Sequence, residues 1–268
     1  MMRPVSTLVF LHAHPDDEAS QTSGTMARAS AEGHRVVVVF ATNGDHGEVP
    51  DDLAPGERLI DRRRAEAEAS ALVTGTARVA WLGYSDSGMT GWEQNASEGA
   101  FCNAPVDEAA GRLAAILDEE DADVLVGYDW HGSYGHPDHV AVHRVAHRAA
   151  ELAARRPRLL EETMNRDHMR RLHAQATAAG VELDWDPDRP MDDGNPFGLP
   201  ESELHFGVDV TDHLQAKREA LACHRSQKTD IEGFLAMPDE VFAAAFGTEW
   251  YREPGREPGL AHGWFLDE

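Results

Sequence analysis

The stretch Thr7-Leu8-Val9-Phe10-Leu11-His12-Ala13-His14-Pro15-Asp16-Asp17-Glu18 runs from an apolar segment straight into a cluster of ionisable side chains. Its partner is Arg35-Val36-Val37-Val38-Val39-Phe40, whose consecutive β-branched residues suit a strand buried on both faces of a parallel sheet. Between them, Ala19–Glu32 reads as a helix ended by Gly33, the residue type best suited to a left-handed helix terminus. The three segments together predict a strand–helix–strand unit.

The same rhythm continues outward. Glu57–Thr74 is rich in Ala, Arg and Glu, with apolar spacing near that of a helix, and Gly75 stops it. Arg78–Leu82 is a third strand, Val106–Glu119 a helix and Asp123–Tyr128 a fourth strand. Pro137–Arg155 is a helix with proline in its first turn, where a missing N–H costs nothing. Alternation of this kind predicts an α/β fold: a Rossmann-like, open, mostly parallel sheet with helices on both faces. Ligands in such sheets bind beyond the carboxyl ends of the strands. His14–Glu18 and His131–His139 both follow predicted strands, so both fall on that rim.

Residues 156–204 break the rhythm, and Asp184–Pro200, with its Pro, Asp and Gly, reads as a long loop. Glu203–Val210 is a late strand, Asp212–Ser226 a helix capped by Thr211 or Asp212, and Gly255–Gly263 is turn-rich. The expected organisation is one domain over residues 1–268, with a loop-rich insertion at about 156–204 and a C-terminal extension at about 228–268.

Composition narrows the function classes. With 41% hydrophobic and 27% charged residues the chain is globular, and its net charge of −24 repels phosphate backbones and anionic lipid. Neither a nucleic acid nor a membrane is therefore an expected partner. No apolar run approaches the roughly 20 residues of a bilayer span. The start of the chain, with Arg3 and a short apolar run, reads as the first strand and not as an export signal. Cys102 and Cys223 are too few for a disulfide framework and point to the reducing cytoplasm. A homo-oligomer is compatible with everything in the sequence.

Four ionisable groups among His14-Pro15-Asp16-Asp17-Glu18 are expensive to hold together at a strand end without a compensating cation. His14 and an aspartate nearby, Asp17, offer imidazole nitrogen and carboxylate oxygen, both standard zinc donors, and Asp16 then lies beside the ion. The same residues also suit an acidic cap on the following helix. In His136-Pro137-Asp138-His139, His139 is the candidate third ligand, His136 a neighbour, and Asp138 a group able to orient a histidine. His131, Asp129 and Tyr134 crowd the same loop, and His143 and His147 follow at helical spacing, which makes His143 a rival ligand. A shared ion requires donor nitrogens of His14 and His139 within about 5 Å of one another. Other chemistries lack their signatures: there is no G-x-G-x-x-G, Walker sequence or G-x-S-x-G elbow. Trp92, Trp130 and Trp250 suit either packing or a sugar-lined cleft.

The HPDDE and HPDH pair, in this order and on this scaffold, resembles the PIG-L/LmbE-like zinc deacetylase family, which includes the mycothiol biosynthesis deacetylase and the mycothiol conjugate amidase. Thr42-Asn43-Gly44-Asp45-His46-Gly47-Glu48 resembles the family's turn after the second strand, and Arg63-x-x-Glu66-Ala67 its helix motif. Asp86-Ser87-Gly88-Met89 and Asp129-x-His131-Gly132-x-Tyr134-Gly135-His136 look like the mycothiol branch. The resemblance spans about Thr7–Arg148, with a weaker match around Lys217–Gln227 that includes His224-Arg225-Ser226-Gln227. It implies one Zn2+ per chain on His14, Asp17 and His139, with Asp16 as general base. It further implies that His136, oriented by Asp138, stabilises the oxyanion or protonates the leaving amine. Tyr134 would hydrogen-bond the tetrahedral oxygen, and Arg63 and Asp86 would contact sugar hydroxyls.

The activity so implied is hydrolysis of a linear amide in an N-acylated amino sugar such as an N-acetylglucosamine compound, or a related small-molecule conjugate. A mycothiol-conjugate-type amidase is an alternative of the same class. A metallophosphoesterase is an alternative of another class, distinguished by two metals about 3.5–4 Å apart. A non-catalytic binding protein that retains the site is the third reading.

Overall fold

The computed structural model describes residues 5–181 and 185–268. Five parallel strands form the heart of the sheet: β1 (Thr7–His12), β2 (Arg35–Thr42), β3 (Arg78–Tyr84), β4 (Val124–Tyr128) and β5 (Arg158–Thr163). They are linked by helices α1 (Asp17–Gln21), α2 (Ser23–Ala31), α3 (Leu59–Thr74), α4 (Val106–Glu119) and α5 (Pro137–Leu152). The order across the sheet is β3-β2-β1-β4-β5, so the chain winds one way from β1 and then returns to pair β4 against β1's other edge. The carboxyl ends of β1 and β4 therefore flank the point where strand order reverses, the place where open α/β sheets bind ligands.

Alternation in the valine-rich strands builds two cores. Val9, Leu11, Val37 and Val39 face α4 and α5 on one side, while Leu8, Phe10, Val36, Val38 and Phe40 face Met26, Ala29 and Ala67 on the other. Gly33 and Gly75 follow α2 and α3 with φ of 88° and 70°, the left-handed values expected of them.

Three expectations need correction. The helix read over Ala19–Glu32 is interrupted at Thr22, whose hydroxyl lies 2.8 Å from His12 Nε2, between α1 and α2. Within the stretch read as loop-rich, Arg158–Thr163 is the fifth parallel strand and Arg166–Ala178 is a helix, α6. Polarity concealed the strand: Glu161, Glu162 and Thr163 are all buried. The region read as an extension also enters the sheet. β7 (Thr248–Arg252) lies between β5 and β6 (Phe206–Asp209), antiparallel to both, and β8 (Ala261–His262) closes the edge beside β6. Asp184, where the expected loop begins, lies outside the described residues.

Helices α7 (Leu214–Cys223), α8 (Lys228–Leu235) and α9 (Asp239–Phe246) pack near α1 through Ala19, Ala220, Leu221, Ile231 and Phe242. Lys217, fully buried, places Nζ 2.6 Å from Glu249 Oε1, and Glu249 also accepts the backbone N–H groups of Gly24 and Thr25. This ties the late strand β7 to the first turn of α2. No helix among the described residues is long and apolar enough to cross a membrane.

Candidate active site

The turn leaving β1 supplies His14 and Asp17, and the loop leaving β4 supplies Tyr134, His136, Asp138 and His139, the last two in the first turn of α5. Asp17 Oδ2 accepts the His14 backbone N–H at 2.8 Å and lies 3.3 Å from His14 Nδ1 and 3.4 Å from His139 Nε2. Donors each about 2.0–2.1 Å from a tetrahedral ion stand about 3.3 Å apart, so both contacts have the spacing of a shared metal shell. The ring centroids of His14 and His139 are 5.4 Å apart, and a donor nitrogen from each of His14, His136 and His139 lies within 4.8 Å of the others. The two distant segments converge, as their sequence placement required.

Hydrogen bonds orient the imidazoles. His139 Nδ1 lies 3.2 Å from the Gly132 carbonyl and donates to it, which leaves the Nε2 lone pair directed at Asp17. His14 turns Nε2 toward Asp138 Oδ2 at 3.2 Å and Asp86 Oδ1 at 3.5 Å, so Nδ1 faces Asp17. Burial opposes charge on His14, yet Asp86, Asp138 and Asp17 raise it well above the ordinary imidazole range. Burial likewise pushes Asp17 up, but His139 and His14 hold it well below the usual carboxylate range. A buried group of carboxylates that stabilises positive charge, with imidazole and carboxylate donors facing one another, fits a divalent metal ion.

His136 accepts the Asp138 backbone N–H at Nδ1, 3.2 Å away, so its proton resides on Nε2. Burial and then the neighbouring His14 and His139 push it down to about 3, which makes it a neutral donor near neutral pH. The resemblance implies that Asp138 orients His136, but its carboxylate is directed at His14 instead. It accepts the backbone N–H groups of Ser87 and Cys102, each at 2.8 Å, and faces His14. Backbone, not side chain, positions His136. Tyr134 Oη lies 3.4 Å from His139 Nε2, and the Tyr134 ring centroid is 6.1 Å from that of His136.

Asp16 has φ of 122°, a conformation that non-glycine residues adopt only when their surroundings enforce it. Arg63 supplies the enforcement: its guanidinium donates to the carbonyls of Pro15 and Gly44 and lies 3.1 Å from Asp16 Oδ2. Removal from water lifts Asp16 to about 6 against the opposing pull of Arg63. Gly44 and Gly47 make the buried guanidinium possible, because a Cβ at either would stand within 2.4 Å of an Arg63 atom. Arg63 thus braces Asp16 from behind. Asp86 is buried, accepts the Gly88 N–H at 2.7 Å and faces His14.

A deeper polar layer escaped the residue-by-residue reading. Glu18 Oε1 accepts Ser70 Oγ and lies against His224 Nε2, both at 2.7 Å, while Glu66 accepts the backbone N–H and hydroxyl of Ser226. His12 joins Tyr128 Oη at 2.9 Å. The signals available were the Arg63-x-x-Glu66 and His224-Arg225-Ser226-Gln227 segments, whose partners no local pattern reveals. His143 and His147 turn to Glu161 on β5, so His143 is not a rival at this centre. Trp130 stacks on His131, Trp92 covers Gly88, and Trp250 lies in the sheet.

The family model described as PIG-L, GlcNAc-PI de-N-acetylase, matches residues 9–150, which carry every one of these metal-facing side chains. The chain belongs to the PIG-L family. Among relatives of this PIG-L protein is the 1D-myo-inositol 2-acetamido-2-deoxy-alpha-D-glucopyranoside deacetylase of Streptomyces avermitilis, 39% identical, with 92% of each chain covered. The enzyme of the same name from Thermomonospora curvata is 37% identical, with 96% of each chain covered. The N,N'-diacetylchitobiose deacetylase of Pyrococcus horikoshii shares the fold at a TM-score of 0.58 and 23% identity, over 92% of this chain and 82% of that one.

Proposed function

We propose that this PIG-L-family protein is a zinc-dependent deacetylase that hydrolyses the acetamide of a small glycoside of N-acetylglucosamine. The observation that carries the reading is Asp17 set between His14 and His139 with Asp16, braced by Arg63, at its side. The full-length similarity to inositol N-acetylglucosaminide deacetylases supports the substrate class. When held by His14, Asp17 and His139, the ion supplies Lewis acidity at the acyl carbonyl and at the attacking water.

The chain's own residues do the rest. Asp16, lifted to about 6, is ionised near neutral pH yet basic enough to take the proton from the attacking water. His136 Nε2–H and the Tyr134 hydroxyl donate to the oxygen that becomes negative as the carbonyl carbon turns tetrahedral, an effect worth on the order of 3 kcal/mol per donor. With His136 neutral, the proton needed by the departing amine is the one Asp16 has just taken. Water and amide then give acetate and the protonated amine, and Asp16 returns to its ionised form.

Amine release from N-acetylglucosamine glycosides, followed before chelation, after chelation and after Zn2+ restoration, tests the reading. Loss on chelation and recovery with zinc are expected. Amine release that ignores the chelator would remove the metal from the reaction.

A further inference from the structure

We propose that His143, His147 and Glu161 form a second divalent transition-metal site, separate from the centre on His14, Asp17 and His139. Spacing of four residues on α5 stacks the two imidazoles with centroids 4.4 Å apart. Glu161, buried on β5, directs Oε1 between them, 2.6 Å from His147 Nε2 and 3.3 Å from His143 Nδ1. One donor atom from each of the three residues lies within 4.8 Å of the others.

Several features mark this group as more than an exposed acidic patch. The carboxylate is anchored from behind, because Arg252 Nη1 holds Glu161 Oε2 at 2.5 Å and leaves Oε1 to the histidines. The Tyr128 carbonyl, 3.1 Å from His143 Nδ1, accepts the proton on that nitrogen, so His143 joins the ion by exchanging this hydrogen bond for it or by presenting Nε2. The His147 side chain is 36% exposed, so an ion reaches the site from solvent and keeps room for water. Opening the 2.6 Å contact to the roughly 3.3 Å of a tetrahedral shell requires less than 1 Å of movement by this partly exposed imidazole. Two nitrogens and one oxygen select Zn2+, Co2+, Ni2+ or Cu2+ over Mg2+ and Ca2+, which prefer oxygen. Arg252 offsets the carboxylate charge, so the site binds more weakly than the centre at the strand ends.

Its occupancy would pin α5, which also carries His139, to β5. It would also make two ions per chain compatible with an amidase, so stoichiometry alone would not indicate a dinuclear phosphoesterase.

Equilibrium dialysis of the full chain against Zn2+ and Co2+ tests the site without reference to turnover. The wild type is expected to bind two ions, one at least 10-fold more weakly. The His143→Ala/His147→Ala variant should lose the weak ion and retain the tight one and the deacetylase activity. Asp17→Asn should weaken the tight ion and spare the weak one. Should the double variant fold poorly, His147→Gln alone, at a surface-accessible position, is expected to weaken the second ion at least 10-fold. A wild type that binds a single ion at millimolar zinc, or His147 variants with unchanged second-ion binding, would overturn the proposal.

Discussion

Asp138 Oδ2 lies 3.2 Å from His14 Nε2, a contact that spans 124 residues of sequence. The same carboxylate is locked by the backbone N–H groups of Ser87 and Cys102, so three separate loops fix the ring of one metal-facing histidine. Partners that orient a ligand's second nitrogen typically matter 10–100-fold to metal affinity. Asp138→Asn is therefore expected to weaken zinc about 10–100-fold, measured by competition with a chromogenic chelator. A variant with wild-type zinc affinity and only slower turnover would return Asp138 to the service of His136.

Asp16 occupies the other side of the centre. Asp16→Asn keeps its shape and removes its basicity, so the metal content should stay at the wild-type level while kcat falls about 100-fold or more. Undiminished turnover would take Asp16 out of proton transfer.

Arg63 is expected to act through Asp16 and not through substrate. Lysine cannot reproduce the planar fork that reaches Pro15, Gly44 and Asp16 together. Arg63→Lys should lower kcat roughly 10-fold or more and shift the acidic limb of its pH profile, with KM within about twofold of wild type. A large rise in KM with kcat unchanged would instead restore the role of a sugar contact.

Away from the site, Arg158 grips Glu253 through two hydrogen bonds of 2.8 Å, and these hold its carboxyl below the usual glutamate range. A carboxyl depressed in the folded state contributes stability that is complete above its unfolded pKa and disappears as pH falls through the folded value. Glu253→Gln should thus cost about 1 kcal/mol at pH 7. Urea unfolding curves of the two proteins should converge as pH drops below about 4. A gap that stays constant down to pH 2 would contradict this.

Much of the fold was legible because its signals are local. Four valines in a row, glycines after α2 and α3, and Pro137 in the first turn of α5 each describe their own neighbourhood. The strand Arg158–Thr163 was not legible, since its last three residues are polar and yet buried. Nor was the helix break at Thr22, where the hydroxyl serves His12. The ligand candidates His14, Asp17 and His139 were found by residue type and strand-end position. The partners of Arg63, Asp86 and Asp138 were not legible, because a side chain's identity does not reveal which buried neighbour it meets.

The amino-acid order alone specified a parallel sheet, the rim on which chemistry would collect and the residue types able to hold an ion there. Hydrophobic periodicity and helix punctuation act over a few residues and survive in one dimension. Only the folded chain decided that Asp138 serves His14, that Arg63 stands behind Asp16, and that His143 and His147 turn to Glu161. Those pairings depend on separations of a few ångströms between segments joined late across the sheet, where burial makes each polar group find a partner.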